Sequence, residues 1–159
     1  MDQLLAVVDS NNEVIAYLPT REVHVQHLIH RSVIALLVDQ EKKLFLLQRT
    51  DPSQPFYQHF DLLRDHLLPQ QSQTELAFHL LTQATSYPIK MERINFIYLI
   101  SPQANCYNEF IYVYRYRLRA KSKEVDNFFS YEQLYTLPTT PLLKTMLKTR
   151  MLETLLNLK

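Results

Sequence analysis

The 159 residues of this chain include no glycine. At ordinary usage of roughly 7%, a chain of this length would carry about 11. Glycine is the residue that takes φ > 0 freely and lets a backbone come close to a phosphate. A P-loop, a G-x-G-x-x-G dinucleotide fingerprint and a G-x-S-x-G nucleophile elbow all require it, so all three are excluded. Turns must instead be made by Asn, Asp, Ser and Pro.

What remains is an ordinary globular composition, with 47% hydrophobic and 21% charged residues. The length fits a single domain over 1–159 with a real core. A net charge of +1 gives no electrostatic footprint for a nucleic acid or an anionic membrane. The single cysteine, Cys106, cannot make an intrachain disulfide and suits a reducing compartment. The opening MDQLLAVVDSNNE lacks the basic and long apolar regions of a secretory signal, and no apolar stretch approaches the length of a membrane span. A cytoplasmic protein is expected.

Hydrophobic periodicity divides the chain into elements. Leu4 to Val8 and Val14 to Leu18 flank the turn Ser10-Asn11-Asn12-Glu13, giving an N-terminal β-hairpin over about 3–18. Residues 19–31 form a polar connection with three histidines, His24, His27 and His30. The run SVIALLV, Ser32 to Val38, is a buried strand, and Lys43 to Gln48 pairs back on it. Residues 50–60 are a loop. Ser72 to Ser86 is a helix, with Ser72 and Glu75 spaced as a capping box. Glu92 to Ile100 and Glu109 to Arg119 are strands. In the latter, Tyr112, Tyr114 and Tyr116 share a face, either under a helix or as a stacking platform. Arg115, Arg117, Arg119, Lys121 and Lys123 form a basic stripe, read as a solvated strand face or a contact for an anionic partner. Tyr131 to Leu134 is one helical turn. A leucine- and methionine-lined helix spans about 142–158, for core packing or a homodimer contact.

Several segments carry a family pattern. Glu22-Val23-His24 and His30-Arg31 precede the first core strand, and KLFLLQR follows it. FDLLRDHLLPQQS, YNEFIYVYRYRL, VDNFFSYEQL and TPLL come after, in that order. Together they resemble the Nudix superfamily, in the branch of the isopentenyl-diphosphate isomerases and their Nudix hydrolase relatives. The resemblance covers nearly the whole chain. It implies an α/β (α+β) fold, a mixed β-sheet sandwiched by helices.

The family's catalytic box, G-x5-E-x7-R-E-U-x-E-E-x-G-U with U aliphatic, lies without gaps on Asp65 to Tyr87. Its glycines fall on Asp65 and Ser86, its arginine on His79, and its glutamates on Gln71, Leu80, Gln83 and Ala84. Only the aliphatic position, Leu81, is a good match. Mg²⁺ requires oxygen ligands in octahedral geometry, and in this family carboxylates supply them. The one carboxylate between Ser72 and Ser86 is Glu75, which aligns with no ligand position. The resemblance therefore implies a degenerate box and no Mg²⁺ there.

A second set of residues is better kept. The isomerase-like metal site falls on His24, His30, His66, Tyr107 and Glu109, of which all but Tyr107 are metal-ligating types. Imidazoles with a carboxylate suit Zn²⁺ or Mn²⁺ better than Mg²⁺. The bland alternative is histidines that hydrogen-bond loop backbone. The isomerase acid and base fall on Arg64 and Tyr107, so isomerisation is not expected, and these two side chains stand in the cleft. The expected function is a catalytically degenerate Nudix domain that binds a small diphosphate-type ligand or a protein partner. The alternative is a divergent metal-dependent hydrolase of nucleoside- or prenyl-diphosphate-type substrates. An open cleft with converging histidines favours ligand binding. A cleft plugged by Arg64, Leu80 and Tyr107 favours protein interaction.

Overall fold

A strand apolar along its whole length is stable only where both faces are covered. The computed structural model, which describes residues 3–104, 107–123 and 126–156, covers the SVIALLV strand in this way. In chain order the elements are β1 (Leu4–Val8), β2 (Val14–Pro19), α1 (Thr20–Val25), β3 (His30–Val38), β4 (Leu44–Phe45), β5 (Leu47–Gln48), β6 (Phe60–Asp61), β7 (Leu63–His66), α2 (Gln73–Ala84), β8 (Asn95–Ile100), β9 (Glu109–Arg117), β10 (Phe128–Phe129), α3 (Tyr131–Leu134), α4 (Pro141–Lys148) and α5 (Met151–Leu156). The main sheet runs β10-β4-β3-β9-β8, and β7 also pairs with β3. Its centre is the parallel pair β3 and β9, in register from His30 opposite Glu109 to Val38 opposite Arg117. The other pairings in this sheet are antiparallel, so it is mixed.

Side-chain alternation divides the core into two layers. Val33, Ala35 and Leu37 of β3 pack with Leu76, Ala77 and Leu81 of α2. Ile34, Leu36 and Val38 pack on the opposite face with Leu143 and Met146 of α4 and Leu152 and Leu155 of α5. The tyrosine row of β9 belongs to the α2 layer: Tyr114 Oη donates to Gln73 Oε1 at 3.0 Å, and Tyr116 Oη accepts the Lys90 N–H. The other face of β9 is not solvated over its length. Ile111 and Val113 are buried, and an Arg115 Nη donates to the Leu155 carbonyl at 2.8 Å. The basic stripe is exposed at Arg117, Arg119, Lys121 and Lys123.

Three expectations are corrected. The polar connection 19–31 contains α1, a short helix whose Val23 is fully buried. The segment Lys43 to Gln48 is split between two sheets, because β5 leaves β4 to pair with β6. The helix expected over 142–158 is two helices, broken where Arg150 takes φ 61°. The break lets both helices lay their leucines on one sheet face, and no glycine or proline marks it in the sequence. Leu158 and Cys106 lie outside the described residues. At α2, Ser72 Oγ caps the helix by accepting the Glu75 N–H. The reciprocal capping box forms at α3, between Ser130 and Gln133. Among the described residues no helix is long and apolar enough to cross a membrane.

The missing glycines leave a mark on the backbone. Among the described residues, positive φ is taken by Asn12, His27, Lys42, Phe56, Gln58, Asn108, Asn127 and Arg150. Asparagine tolerates this region, but a longer side chain costs roughly 1–2 kcal/mol there. Buried Asp39 compensates in one such turn, its Oδ1 accepting the N–H groups of Glu41 and Lys43. Exposed Lys42, at φ 64°, still carries the strain. Lys42→Gly is expected to stabilise the protein by about 0.5–1 kcal/mol, after the entropy lost on fixing glycine. Urea denaturation midpoints check this, and a lower midpoint would overturn it.

Candidate metal centre and its cleft

The histidine site is assembled by strand register. The pairing of β3 with β9 sets His30 beside Glu109, and that of β3 with β7 sets Ser32 beside His66. These residues share the face of Ile34, opposite the layer that α2 occupies. His24 arrives from α1. The ring centroids lie 5.3 Å apart for His24 and His30, 4.9 Å for His24 and His66, and 5.1 Å for His30 and His66. One ring nitrogen of each lies within 4.8 Å of the others.

Glu109 stands against two of the three. Its Oε1 is 3.0 Å from His30 Nε2 and 3.7 Å from His66 Nδ1, and its Oε2 accepts the Ser32 hydroxyl at 2.6 Å. His30 Nδ1 is 2.9 Å from the Leu28 carbonyl. Both His30 partners are pure acceptors, so the ring satisfies them only as an imidazolium. Burial works against that charge, but the hydrogen bonds to Glu109 and Leu28 outweigh it and raise the His30 pKa above its ordinary value. Burial likewise opposes the Glu109 charge, yet the bonds from His30 and Ser32 hold its pKa below the usual carboxylate range. His24 and His66 are both shifted down, chiefly by burial, with His30 adding repulsion and Glu109 opposing it. They are poised as neutral donors. Among the described residues His66 Nδ1 has no hydrogen-bond partner, although it is buried.

That orphaned nitrogen, two further imidazoles and an adjacent carboxylate fit a borderline transition metal such as Zn²⁺ or Mn²⁺. His30 Nδ1–H on the Leu28 carbonyl is the outer contact that orients a ligating imidazole. Of the four residues expected to form the site, the three histidines converge mutually and Glu109 backs two of them.

A cavity of about 560 Å³ opens beside the cluster, lined by His24, His66 and Glu109 together with Arg64, Tyr107 and Leu80. The three side chains considered as plugs are walls of an open cleft. The Arg64 guanidinium carbon lies 4.5 Å from the Tyr107 ring centroid. Two contributors escaped the sequence reading. Ser32 holds Glu109, and Asp61 draws Arg49 and Arg64 together at 3.2 and 3.5 Å. Only the two-residue spacing of Ser32 from His30 could have pointed to it, and that spacing shows nothing until the pairing is known; no signal marked Asp61.

The box positions scatter. Asp65 and Leu80 reach the cavity, but Asp65 is exposed and its Oδ1 accepts the His66 N–H. Gln71 lines a different cavity and accepts the Leu68 N–H. His79, Gln83 and Ser86 are exposed, and Ala84 is half-buried. Among these positions no pair of carboxylates faces the cleft.

No family model matches the sequence, and no curated protein matches it. Solved structures do resemble the fold. DR0079 from Deinococcus radiodurans has a TM-score of 0.65 at 16% identity, over 92% of this chain and 98% of that one. The Nudix hydrolase RenU from M. smegmatis has a TM-score of 0.58 at 14% identity, over 94% of both chains. The Nudix domain of NrtR from Shewanella oneidensis, complexed with ADP ribose, has a TM-score of 0.54 at 12% identity, over 77% of this chain and 86% of that one. The mixed sheet between helical layers, shared with DR0079 and RenU across more than nine-tenths of the chain, is the Nudix fold.

Proposed function

We propose that the chain is a Nudix-fold domain, degenerate at its box helix, that holds a transition metal ion on His24, His30 and His66 with Glu109. Beside it the cleft takes a small anionic ligand of the diphosphate type. The observation that carries this reading is the convergence of three imidazoles, two of which, His24 and His66, line an open cavity. The ADP ribose held by the NrtR domain supports the ligand class. A bound ion supplies Lewis acidity toward a ligand oxygen. The chain's own residues do the positioning: Leu28 orients His30, and Ser32 fixes Glu109. Leu80 and Ala84, where the family carries carboxylates, cannot activate water, so the ligand is held and not cleaved. Arg64 and Tyr107 stand where the isomerase-like branch carries its acid and base, so isomerisation does not follow either.

Calorimetric titration of metal-stripped protein with Zn²⁺ and Mn²⁺, repeated on His66→Ala, tests the reading. One-to-one binding that the variant loses by about 10–100-fold or more is expected. His30 must give up a proton to ligate, so affinity should rise with pH through its elevated pKa. Absence of binding in the wild-type chain overturns the metal site. A panel of nucleoside and prenyl diphosphates with Mg²⁺ or Mn²⁺ should show no turnover. Robust hydrolysis lost on changing Gln71 or Gln83 would overturn the degenerate box.

A further inference from the structure

The cleft contains a cation that its own chain leaves unsatisfied. Arg64 lies two residues before His66 on one face of β7, placing their Cα atoms about 6–7 Å apart. Its side chain is 17% exposed. Its Nε stands 3.5 Å from Asp61 Oδ2, an ion pair too long for a hydrogen bond. That oxygen already accepts an Arg49 Nη at 3.2 Å, and Asp61 Oδ1 accepts the Leu62 N–H. Among the described residues the Arg64 side chain makes no hydrogen bond, although a guanidinium carries five N–H donors. Two guanidinium groups share the Asp61 carboxylate, so the fork of Arg64 is left without a bidentate acceptor. The Tyr107 ring backs it, and Leu47, Leu62 and Leu80 line the space around it.

A largely desolvated guanidinium with free donors requires an acceptor, and a carboxylate or phosphate oxygen pair matches its fork. One open fork calls for one anionic head, and leucine walls call for an apolar body. We propose that Arg64 is the head-group site for an amphiphilic organic anion with a single head, a carboxylate or a phosphate monoester, whose apolar body lies along Leu47, Leu62 and Leu80. The proposal rests on the reading that the cavity holds an anionic ligand, and it puts a single head where that reading has a diphosphate; the pyrophosphate arm of the test decides between them. It does not require the metal.

The test uses the full chain in the presence of a chelator, titrated calorimetrically with octanoate, octyl phosphate, 1-octanol and inorganic pyrophosphate. Octanoate or octyl phosphate should bind one-to-one about tenfold or more tighter than 1-octanol, since a hydrogen bond to a charged group is worth that much. The tighter of the two names the head. Arg64→Gln should remove that preference, and Arg64→Lys, which keeps charge but loses the fork, should retain part of it. If Arg64→Gln does not fold, Arg64→Lys alone reads the outcome. Octanol binding as tightly as octanoate, pyrophosphate binding more tightly than both anions, an unaltered preference in the variants, or no binding by any probe each overturns the proposal. Zinc binding without octanoate binding leaves the metal site standing and overturns the head-group site. Octanoate binding without zinc binding does the reverse.

Discussion

Glu109→Ala is expected to destabilise the protein by about 3–5 kcal/mol, the usual cost of removing one partner from a buried ion pair. Glu109 and His30 are each 3% exposed at the side chain. The substitution would leave His30 facing an empty site at Nε2 and the Ser32 hydroxyl without its acceptor. Glu109→Gln keeps the shape and one oxygen, so its loss should be smaller, about 1–3 kcal/mol. The penalty depends on pH in a defined direction. Glu109 has a lowered folded pKa, so its contribution is present above about pH 4.5 and fades as pH falls through the folded value. His30 has a raised folded pKa, so its contribution is complete below about pH 6.5 and fades as pH rises through the folded value. The gap between wild type and Glu109→Ala should therefore be widest between about pH 4.5 and 6.5. Urea denaturation of both proteins across that range measures it. A gap under about 1 kcal/mol throughout would mean that the pair is not the buried contact described here.

Zinc should stabilise the folded chain strongly. An ion that binds the native state alone adds about 4 kcal/mol when its free concentration is 1,000 times its Kd. For a chain of this length each kcal/mol moves Tm by about 2–4 °C, so a rise of about 8–16 °C is expected. A chelator should reverse it, and His66→Ala should abolish it while folding in the absence of metal. His66 is suited to this comparison because its Nδ1 makes no hydrogen bond for the variant to lose. An equal rise in the variant would place the ion elsewhere. Affinity of zinc for the unfolded histidines would reduce the rise but not equalise the two proteins.

The apolar patterning was legible because it is local. Alternation along Phe110 to Leu118 assigned the faces of β9, and Ser72 marked the start of α2. Family order brought forward His24, His30, His66 and Glu109, but as candidates only. Arg150 was not legible: its left-handed backbone is the cost of laying two short helices on one sheet face, and its neighbours in sequence carry no signal of that. Asp61 was equally silent. It matters because the β5–β6 pairing and β7 bring Arg49 and Arg64 to the same oxygen.

By itself the sequence determined which segments are apolar on one face or both, where a helix could start, and that no glycine-dependent phosphate loop could exist. These depend on spacings of two to four residues. Only the tertiary structure decided that His30 and Glu109, 79 residues apart, share a proton, and that His24 and His66 close around them. Strand register does this, and register is the joint result of packing two core layers at once.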